Sequence, residues 1–369
     1  MERRYRIYPG WIVVFASLVS FLVFGVFYSY GIFFNNLVAE FGWSKAVAAS
    51  VGSIALPIFS SFGLVMGWFS DRYGSRRVMG VSTILFTLGY VSLSRAEALW
   101  HFYILYSLAA VGWGAMATVP PAAIARWFVK KRGTAFGIAL TGGGIGGAIM
   151  PTLTHFLIEA YGWRASFAII GAVFGVVLAI SSRLLYHRPE DLGLKAYGAH
   201  DEGNVGEVVT FTLAEVLKTP AFWQLFTAFS LAHASLMGVM VHLAPYAVSQ
   251  GVPAWAAAAA VSLVSGASII GRICVGYLSD RIGGTNALAV SLGIAALLIV
   301  PVILAPSIGT LFLSAAAYGF FYGGWLSSVM ESTRTFFGGF SYGAIWSAIN
   351  AGGGVEAFLA RSLPATLWM

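Results

Sequence analysis

Charged residues are scarce in this sequence. Of its 369 residues only 9% are Asp, Glu, Lys or Arg, whereas 59% are hydrophobic and the mean hydropathy is +0.82. A water-soluble chain of this length carries far more charge, because charged side chains are needed to cover its surface. The composition therefore excludes a soluble globular protein and predicts an all-α polytopic membrane protein.

The sequence also lacks several residue patterns that enzymes and metal-binding proteins need. The single cysteine, Cys274, leaves no disulfide framework and no Cys/His spacing for a zinc site. The sequence contains no phosphate-binding glycine loop and no Ser-His-acid arrangement, so we expect no enzyme, no cofactor and no metal. The formal net charge of +7 does not indicate a nucleic-acid partner, because the basic residues follow the membrane topology.

About eleven apolar stretches are each long enough to cross a bilayer. They span residues 11–34, 46–69, 78–94, 100–125, 134–158, 164–186, 221–248, 255–279, 286–305, 309–330 and 341–360. With the N-terminus in the cytoplasm, every Lys and Arg lies on a cytoplasmic segment except Lys45, Arg95, Arg164, Arg361 and the intramembrane Arg272. This bias follows the positive-inside rule. We expect a multi-pass protein of a bacterial inner (plasma) membrane with a cytoplasmic N-terminus.

The two halves of the sequence repeat each other. GWFSDRYGSRR at residues 67–77 returns as GYLSDRIGGTN at residues 276–286, about 210 residues later. A run of three glycines at residues 142–144 returns at residues 352–354, at nearly the same offset. Such a repeat is typical of transporters built from two pseudo-symmetric helical halves with the substrate site between them.

The repeat divides the chain into an N-terminal six-helix half (1–186), a cytoplasmic linker (187–220) and a C-terminal half (221–369). Within the linker, residues 211–218 fit either a short interfacial helix or a plain loop. The second half ends where the first half continues into its sixth helix, so we expect an incomplete C-terminal half. The tail from about residue 355 is interpreted as the product of a truncation or a shifted reading frame.

The repeated loop predicts a gate. Its glycine allows two helices to approach closely, and its aspartate can meet a helix N-terminus or an arginine elsewhere in the bundle. The gating residues in this interpretation are Gly67, Asp71, Arg72, Gly74, Arg76 and Arg77 in the first half, and Asp280 and Arg281 in the second. The loop resembles the signature loop of the major facilitator superfamily. That resemblance implies a fold of two pseudo-symmetric six-helix halves, truncated here to about 11 transmembrane helices.

A second stretch, RWFVKKRGTAFGIALTGGGIGG at residues 126–147, resembles the fifth-helix signature of monocarboxylate transporters. The matching residues are Trp127, Phe128, Lys130, Lys131, Arg132, Ala135, Gly137 and Ala139. The Pro-Gly-Trp opening of the first helix is similar to that family too, although the acidic residue before its glycine is missing. The bacterial oxalate/formate exchangers share much of the pattern, so the subfamily stays open. For the glycines within residues 142–147, close helix packing is the favoured interpretation.

Arg272 is the only formal charge between residues 221 and 279. At about 1.5 Å per residue it lies roughly 12 Å from Asp280 at the end of its helix, close to the midplane of a bilayer core about 30 Å thick. An arginine there costs about 2.5–3.5 kcal/mol by insertion scales, so we expect it to have a function. Its planar guanidinium suits bidentate binding of a carboxylate. The resemblance implies the same role, because Arg272 matches the eighth-helix arginine that holds the substrate carboxylate in that family. The alternative is a salt bridge within the bundle, for which the middle of the predicted spans offers no Asp or Glu.

Further candidates for substrate binding lie on the predicted helices. They are Tyr28, Ser268, Thr118, Tyr322, Trp325 and Asn350. Ser268 lies one turn before Arg272, where proton-coupled relatives carry an acid; for the aromatic residues, packing is the alternative. His233 and His242 are candidate proton relays, because a histidine titrates near physiological pH. A satisfied or interfacial histidine is the alternative for both.

Together these features predict a secondary active transporter of small monocarboxylates such as lactate and pyruvate, a proton symporter that works by alternating access. A single membrane cation, Arg272, favours a monocarboxylate over a dianion. An organic anion exchanger of the oxalate/formate type is the alternative, because Ser268 replaces the expected acid. A non-transporting truncated membrane fragment is the alternative of another class. The expected partners are the carboxylate, protons and membrane lipid, with no nucleic acid.

Overall fold

In the computed structural model, residues 8–199 and 211–362 are described, with side chains as far as residue 353. Within these ranges the regular elements are helices, apart from a single parallel bridge between Phe128 and Tyr197. The predicted all-α fold is therefore confirmed. The middle of the linker and the tail expected from residue 355 onward lie outside the residues whose side chains are described.

The first half of the sequence forms helices that follow the predicted apolar stretches. They are α1 (Gly10–Phe24), a 3₁₀ segment (Gly25–Phe33), α2 (Phe34–Phe41), α3 (Lys45–Tyr73), α4 (Ser75–Leu93), α5 (Leu99–Trp127) and α6 (Arg132–Leu184). The 53 residues of α6 contain two predicted stretches, which are separated at Gly162 by a φ of 76°. Glycine adopts this left-handed backbone conformation without a steric cost, so one unbroken segment holds two spans.

The remaining helices belong to the second half of the sequence. They are α7 (Leu213–Val216), α8 (Pro220–Ser249), α9 (Ala254–Ile282), α10 (Gly284–Ile303), α11 (Ile308–Gly323), α12 (Trp325–Phe337) and α13 (Tyr342–Ser362). Of the two interpretations of residues 211–218, the helix is observed: α7 is one turn, and the Thr212 hydroxyl caps its N-terminus. The predicted stretch 309–330 is divided into α11 and α12 at Gly324, whose backbone lies against the side chain of Val275.

The chain forms two compact units. The described part of unit 1 lies within Met1–Val129, Gly142–Val208 and Gly339–Ser347. The described part of unit 2 lies within Lys130–Thr141, Val209–Gly338 and Ala348–Met369. Each unit therefore takes in a short segment from the opposite half of the sequence, namely the start of α13 in unit 1 and the start of α6 in unit 2.

In unit 1, α3 and α4 both pack on α5. A Cβ added at Gly114 of α5 would lie 2.8 Å from the backbone nitrogen of Gly63 on α3. A Cβ added at Gly112 would lie 2.6 Å from the backbone oxygen of Ser82 on α4. These glycines allow the helix backbones to touch, which is how helices associate where water supplies no driving force between them.

Unit 2 uses the same device between α9 and α11. A Cβ added at Gly319 would lie 2.7 Å from the Cα of Val264, and one added at Gly323 would lie 2.6 Å from the Cα of Ser268. Gly271 lies equally close to the backbone of Phe320. The central turns of α9, which carry Ser268 and Arg272, are therefore fixed against α11 by backbone contacts.

Candidate functional site

Arg272 is half-buried on α9, and its Nη1 donates a hydrogen bond to the backbone oxygen of Leu140 on α6. The two helices touch beside it, because a Cβ added at Gly137 would collide with the backbone carbonyl of Arg272. Ala135 and Ala139, on either side of Gly137 in the fifth-helix motif, are fully buried. The small residues of this motif therefore allow α6 to pack directly against the arginine turn of α9.

The aromatic candidates of unit 2 form a cluster between α8 and the break from α11 to α12. The Tyr322 hydroxyl donates to the backbone oxygen of Ala232 at 3.1 Å, and its ring centroid lies 5.9 Å from that of Trp325. The Trp325 ring lies 5.1 Å from Phe229. Both Tyr322 and Trp325 are 4% exposed, so in this conformation they act as packing residues whose substrate role stays a prediction.

His233 lies at the edge of this aromatic cluster. Its ring is parallel to Phe229 at 6.2 Å, and its Nδ1 is buried without a hydrogen-bond partner. His242, nine residues further along α8, is exposed. Asn350 is half-buried on α13, one turn before Gly353, where an added Cβ would lie 3.6 Å from His233. Of the two histidines, only His233 is placed among predicted substrate residues.

Ser268 and Thr118 direct their hydroxyls into their own helices. Ser268 Oγ donates to the backbone oxygen of Ser265 at 2.7 Å, and Thr118 Oγ1 donates to that of Gly114 at 3.0 Å. Thr118 is fully buried within unit 1, where α5 continues as a helix through Pro120 and Pro121. Both hydroxyls would have to rotate away from these carbonyls to bind a substrate.

Tyr28, the remaining substrate candidate of unit 1, is 52% exposed on the 3₁₀ segment. Its ring packs edge-on against Phe24 and Phe27 at 6.1 and 5.9 Å. A Cβ added at Gly147 would lie 3.6 Å from it. The nearby Gly146 lies against the backbone of Gly25, which confirms close packing as the role of this glycine.

The gating loop of unit 1 is built around Asp71 at the end of α3. Its carboxylate accepts hydrogen bonds from the backbone N–H groups of Gly343 and Ala344 at 3.0 and 2.9 Å, and it forms an ion pair with Arg126. A carboxylate at a helix N-terminus is stabilised by the unsatisfied N–H groups and by the helix dipole. Gly67, one turn earlier, lies against the backbone of Gly343. The loop therefore attaches the start of α13 to unit 1.

The repeated loop of unit 2 makes the same type of contact. The Asp280 carboxylate accepts from the backbone N–H groups of Gly133 and Thr134 at 2.6 and 2.9 Å, and from the Thr134 hydroxyl at 2.5 Å. Arg281 is exposed and donates to the hydroxyl of Tyr277. Each aspartate of the repeat therefore caps a helix from the opposite half of the sequence.

The basic residues of the first loop lie at its surface. Gly74 makes the turn from α3 to α4 with a φ of 93°. Arg72 lies 5.5 Å from the ring of Trp68 and Arg76 lies 5.9 Å from that of Tyr186, while Arg77 is exposed. These three arginines are placed to anchor the end of the bundle rather than to bind a buried substrate.

His187, just after α6, is tied into this loop. Its Nδ1 accepts from the backbone N–H of Ser75 at 3.2 Å, at the first residue of α4. Burial, together with the positive charges of Arg126 and Arg188, lowers the pKa of His187 to about 3. The imidazole is therefore neutral at physiological pH and caps the positive end of α4.

Sequence reasoning missed two charged residues of these gates. Arg126, the partner of Asp71, stands immediately before the Trp-Phe pair of the fifth-helix motif, where a basic residue indicates topology only. Glu331 directly follows the predicted stretch 309–330, yet it is only 9% exposed and accepts a hydrogen bond from the Ser279 hydroxyl at 3.0 Å. A charge at the end of a span is usually solvated, so the sequence carried little signal for either contact.

Repeated apolar helices, an arginine within α9 and two aspartate-capped helix N-termini define a membrane transporter of the two-repeat type. Residues 16–355 match the family model of the Major Facilitator Superfamily, and the chain belongs to that superfamily.

Curated relatives agree with the family. The chain is 30% identical over 280 residues to monocarboxylate transporter 13 of Bos taurus, covering 74% of this chain and 62% of that protein. It is 30% identical over 318 residues to monocarboxylate transporter 13 of Rattus norvegicus, covering 84% and 71%. It is 26% identical over 363 residues to the oxalate:formate antiporter of Oxalobacter formigenes, covering 95% and 84%. The resemblance to both groups is therefore confirmed, although the chain spans less than two thirds of the bovine relative.

Solved structures support the fold. The proton:xylose symporter XylE matches 97% of this chain and 88% of its own with a TM-score of 0.68. The transporter FucP in the outward conformation matches 94% and 91% with a TM-score of 0.67. Sequence identity is 14% in both cases, so these two structures show the major facilitator fold and nothing about the substrate.

Proposed function

We propose that this protein is a secondary active transporter of small monocarboxylates such as lactate and pyruvate, which works by alternating access and proton symport. The observation that carries the proposal is Arg272 on α9, a guanidinium on an otherwise uncharged stretch of an apolar helix. In this conformation its Nη1 donates a hydrogen bond to the backbone oxygen of Leu140. A carboxylate fits the planar fork of guanidinium donors.

The substrate class rests on charge balance. The first turns of α13, residues 342–353, contain no Lys or Arg, so Arg272 is the cation that the proposal assigns to the substrate. One cation balances a monocarboxylate and leaves a dianion half-neutralised. Tyr28, Thr118, Ser268, Tyr322, Trp325 and Asn350 would shape the remainder of the site once their present contacts are released. Relatives named monocarboxylate transporters support this class.

Alternating access would use the two halves of the repeat, residues 1–186 and 221–369, joined by the linker at 187–220. The aspartate caps, in which Asp71 and Asp280 each hold a helix N-terminus, would form and break as the site opens to one side of the membrane and then to the other. His233 is a candidate proton carrier, because its Nδ1 is buried without a partner. We place the N-terminus in the cytoplasm and the protein in a bacterial inner membrane on the distribution of basic residues.

One alternative remains testable. An organic anion exchanger is favoured by Ser268, which stands where proton-coupled relatives carry an acid, and by the antiporter among the relatives.

The test is uptake of labelled lactate into proteoliposomes with and without an inward proton gradient. Gradient-driven uptake that is lost in Arg272→Gln and retained in the exposed control Arg95→Gln would support the proposal. Uptake that requires a carboxylate inside the vesicles would favour the exchanger. Absence of lactate transport in both formats would refute the monocarboxylate proposal.

A further inference from the structure

Glu331, in the middle of α12, is a carboxylate enclosed by its neighbours. Its side chain is only 9% exposed, and the Ser279 hydroxyl of α9 donates to its Oε2 at 3.0 Å. A Cβ added at Gly133 would lie 2.5 Å from the same oxygen, so Glu331 lies against the first turn of α6. A buried carboxylate is costly unless it is paired or takes up a proton.

A second carboxylate serves the same helix start. Asp280 accepts the N–H groups of Gly133 and Thr134. Glu331 interacts electrostatically with both Asp280 and Arg132, and Arg132 is itself 8% exposed. Two carboxylates therefore lie at one helix N-terminus, and they repel each other when both are ionised.

The gate of unit 1 differs from this one in its carboxylates. There Asp71 faces Arg126 as one carboxylate to one guanidinium. By the repeat, the position of Glu331 corresponds to Ala122, which is fully buried and apolar. The additional acid is therefore specific to unit 2 and is not required to cap a helix.

The other charged or titratable residues on the described helices that pack against α12 have the following surroundings. α10 carries no charged residue. On α9, Arg272 donates to Leu140 and the exposed Arg281 donates to Tyr277. On α8, His233 lies against Phe229 and His242 is exposed. Arg334 follows Glu331 by three residues on α12 itself and is half-buried.

We propose that Glu331 is the proton-binding site of this transporter and that its protonation controls the Asp280 cap. This inference rests on the proposed function and names the group that couples it to protons. With a proton on a Glu331 carboxylate oxygen, this repulsion disappears and Asp280 alone holds the start of α6. When the proton returns to water, two adjacent carboxylates repel each other and the cap weakens, so proton release favours separation of α6 from α9.

The experiment compares Glu331→Gln, which imitates the protonated acid, with Glu159→Gln, which removes an exposed acid paired on the surface with His155. Both variants are reconstituted for labelled-lactate transport. In Glu331→Gln we expect gradient-driven net uptake to fall by about tenfold while lactate–lactate exchange stays within about twofold of the unmodified protein. Glu159→Gln should change neither rate. Equal loss of net uptake and exchange, or loss of neither, would overturn the proposal.

An infrared readout is independent of transport. Acidifying the purified protein should produce carboxylic-acid C=O bands from its 14 Asp and Glu residues, of which one component is missing from Glu331→Gln and present in Glu159→Gln. If lactate is not transported but the band is assigned to Glu331, the substrate proposal fails and the proton site stands. If lactate is transported with a proton while the band is unchanged in Glu331→Gln, the proton binds elsewhere, with His233 as the next group to test.

Discussion

Replacing Asp71 with Asn tests the gate of unit 1. The Asp71 carboxylate receives two backbone N–H groups at 3.0 and 2.9 Å and pairs with Arg126. The side chains of Asp71 and Arg126 are 11% and 7% exposed, so water screens this ion pair only weakly. Asparagine keeps the size of the side chain and one oxygen acceptor, but it removes the negative charge.

The expected loss follows from these contacts. A hydrogen bond to a charged group contributes about 1.5–3 kcal/mol to stability. Removing one partner of a buried ion pair destabilises a protein by about 3–5 kcal/mol, because the other charge stays buried. Since the asparagine oxygen retains one backbone donor, we expect a value near the lower end. Asp71→Asn should lower the free energy of unfolding by about 3 kcal/mol.

The measurement is denaturant unfolding of the purified protein in detergent micelles, followed by tryptophan fluorescence. Asp191→Asn is the matched control, because Asp191 is an exposed acid that accepts one backbone N–H, from Arg188 at 3.2 Å. It should change stability by no more than about 0.5 kcal/mol. Adding Arg126→Gln to Asp71→Asn should restore part of the loss, because no unpaired charge is then buried. A loss below about 1 kcal/mol in Asp71→Asn would refute the reasoning.

Two further predictions concern stability. The pKa of His187 is lowered to about 3 in the folded protein. The unfolded histidine, with a pKa near 6.5, therefore takes up a proton that the folded one does not, and stability should fall by up to about 1.4 kcal/mol per pH unit as the pH drops below 6.5. An unfolding series from pH 7.5 to 5 should lose this component in His187→Gln, and an identical pH dependence in both proteins would contradict it. Gly319→Ala should destabilise by about 1–3 kcal/mol, because its Cβ would collide with the backbone oxygen of Val264 and lie 2.7 Å from the Cα of Val264. Gly293→Ala on α10 is the control, since nothing lies within 4 Å of its added Cβ; equal stability of the two variants would show that α9 and α11 are not packed as described.

The helical membrane fold could be predicted from the sequence because hydropathy and the internal repeat are patterns that extend over many residues. The turn at Gly162 and the capping of α7 by Thr212 agree with the sequence for local reasons, since each depends on residues within a few positions. The break at Gly324 was not predicted. It depends on the side chain of Val275, about fifty residues away in sequence, against which the glycine backbone packs.

The chemistry of the gates was predictable in kind but not in partner. An aspartate at a helix end was expected to meet a helix N-terminus or an arginine, and Asp71 meets both. Nothing local to Asp71 indicates that its partners are Gly343 and Arg126. The hydroxyls of Thr118 and Tyr322 donate to backbone carbonyl oxygens in this conformation. These contacts could not be predicted, because a sequence does not show which acceptor a hydroxyl will reach.

The two aspartate caps share a geometry and differ in charge, and this difference bears on coupling. Asp71 and Arg126 neutralise each other, so a pH change has no surplus charge to act on there. Asp280 and Glu331 are neighbouring carboxylates, so one proton on Glu331 removes the repulsion between them. A proton site at the gate does not have to lie beside the substrate arginine. Ser268 in place of an acid on α9 therefore does not by itself argue for exchange over proton symport, and the net-uptake and exchange rates of Glu331→Gln decide between the two.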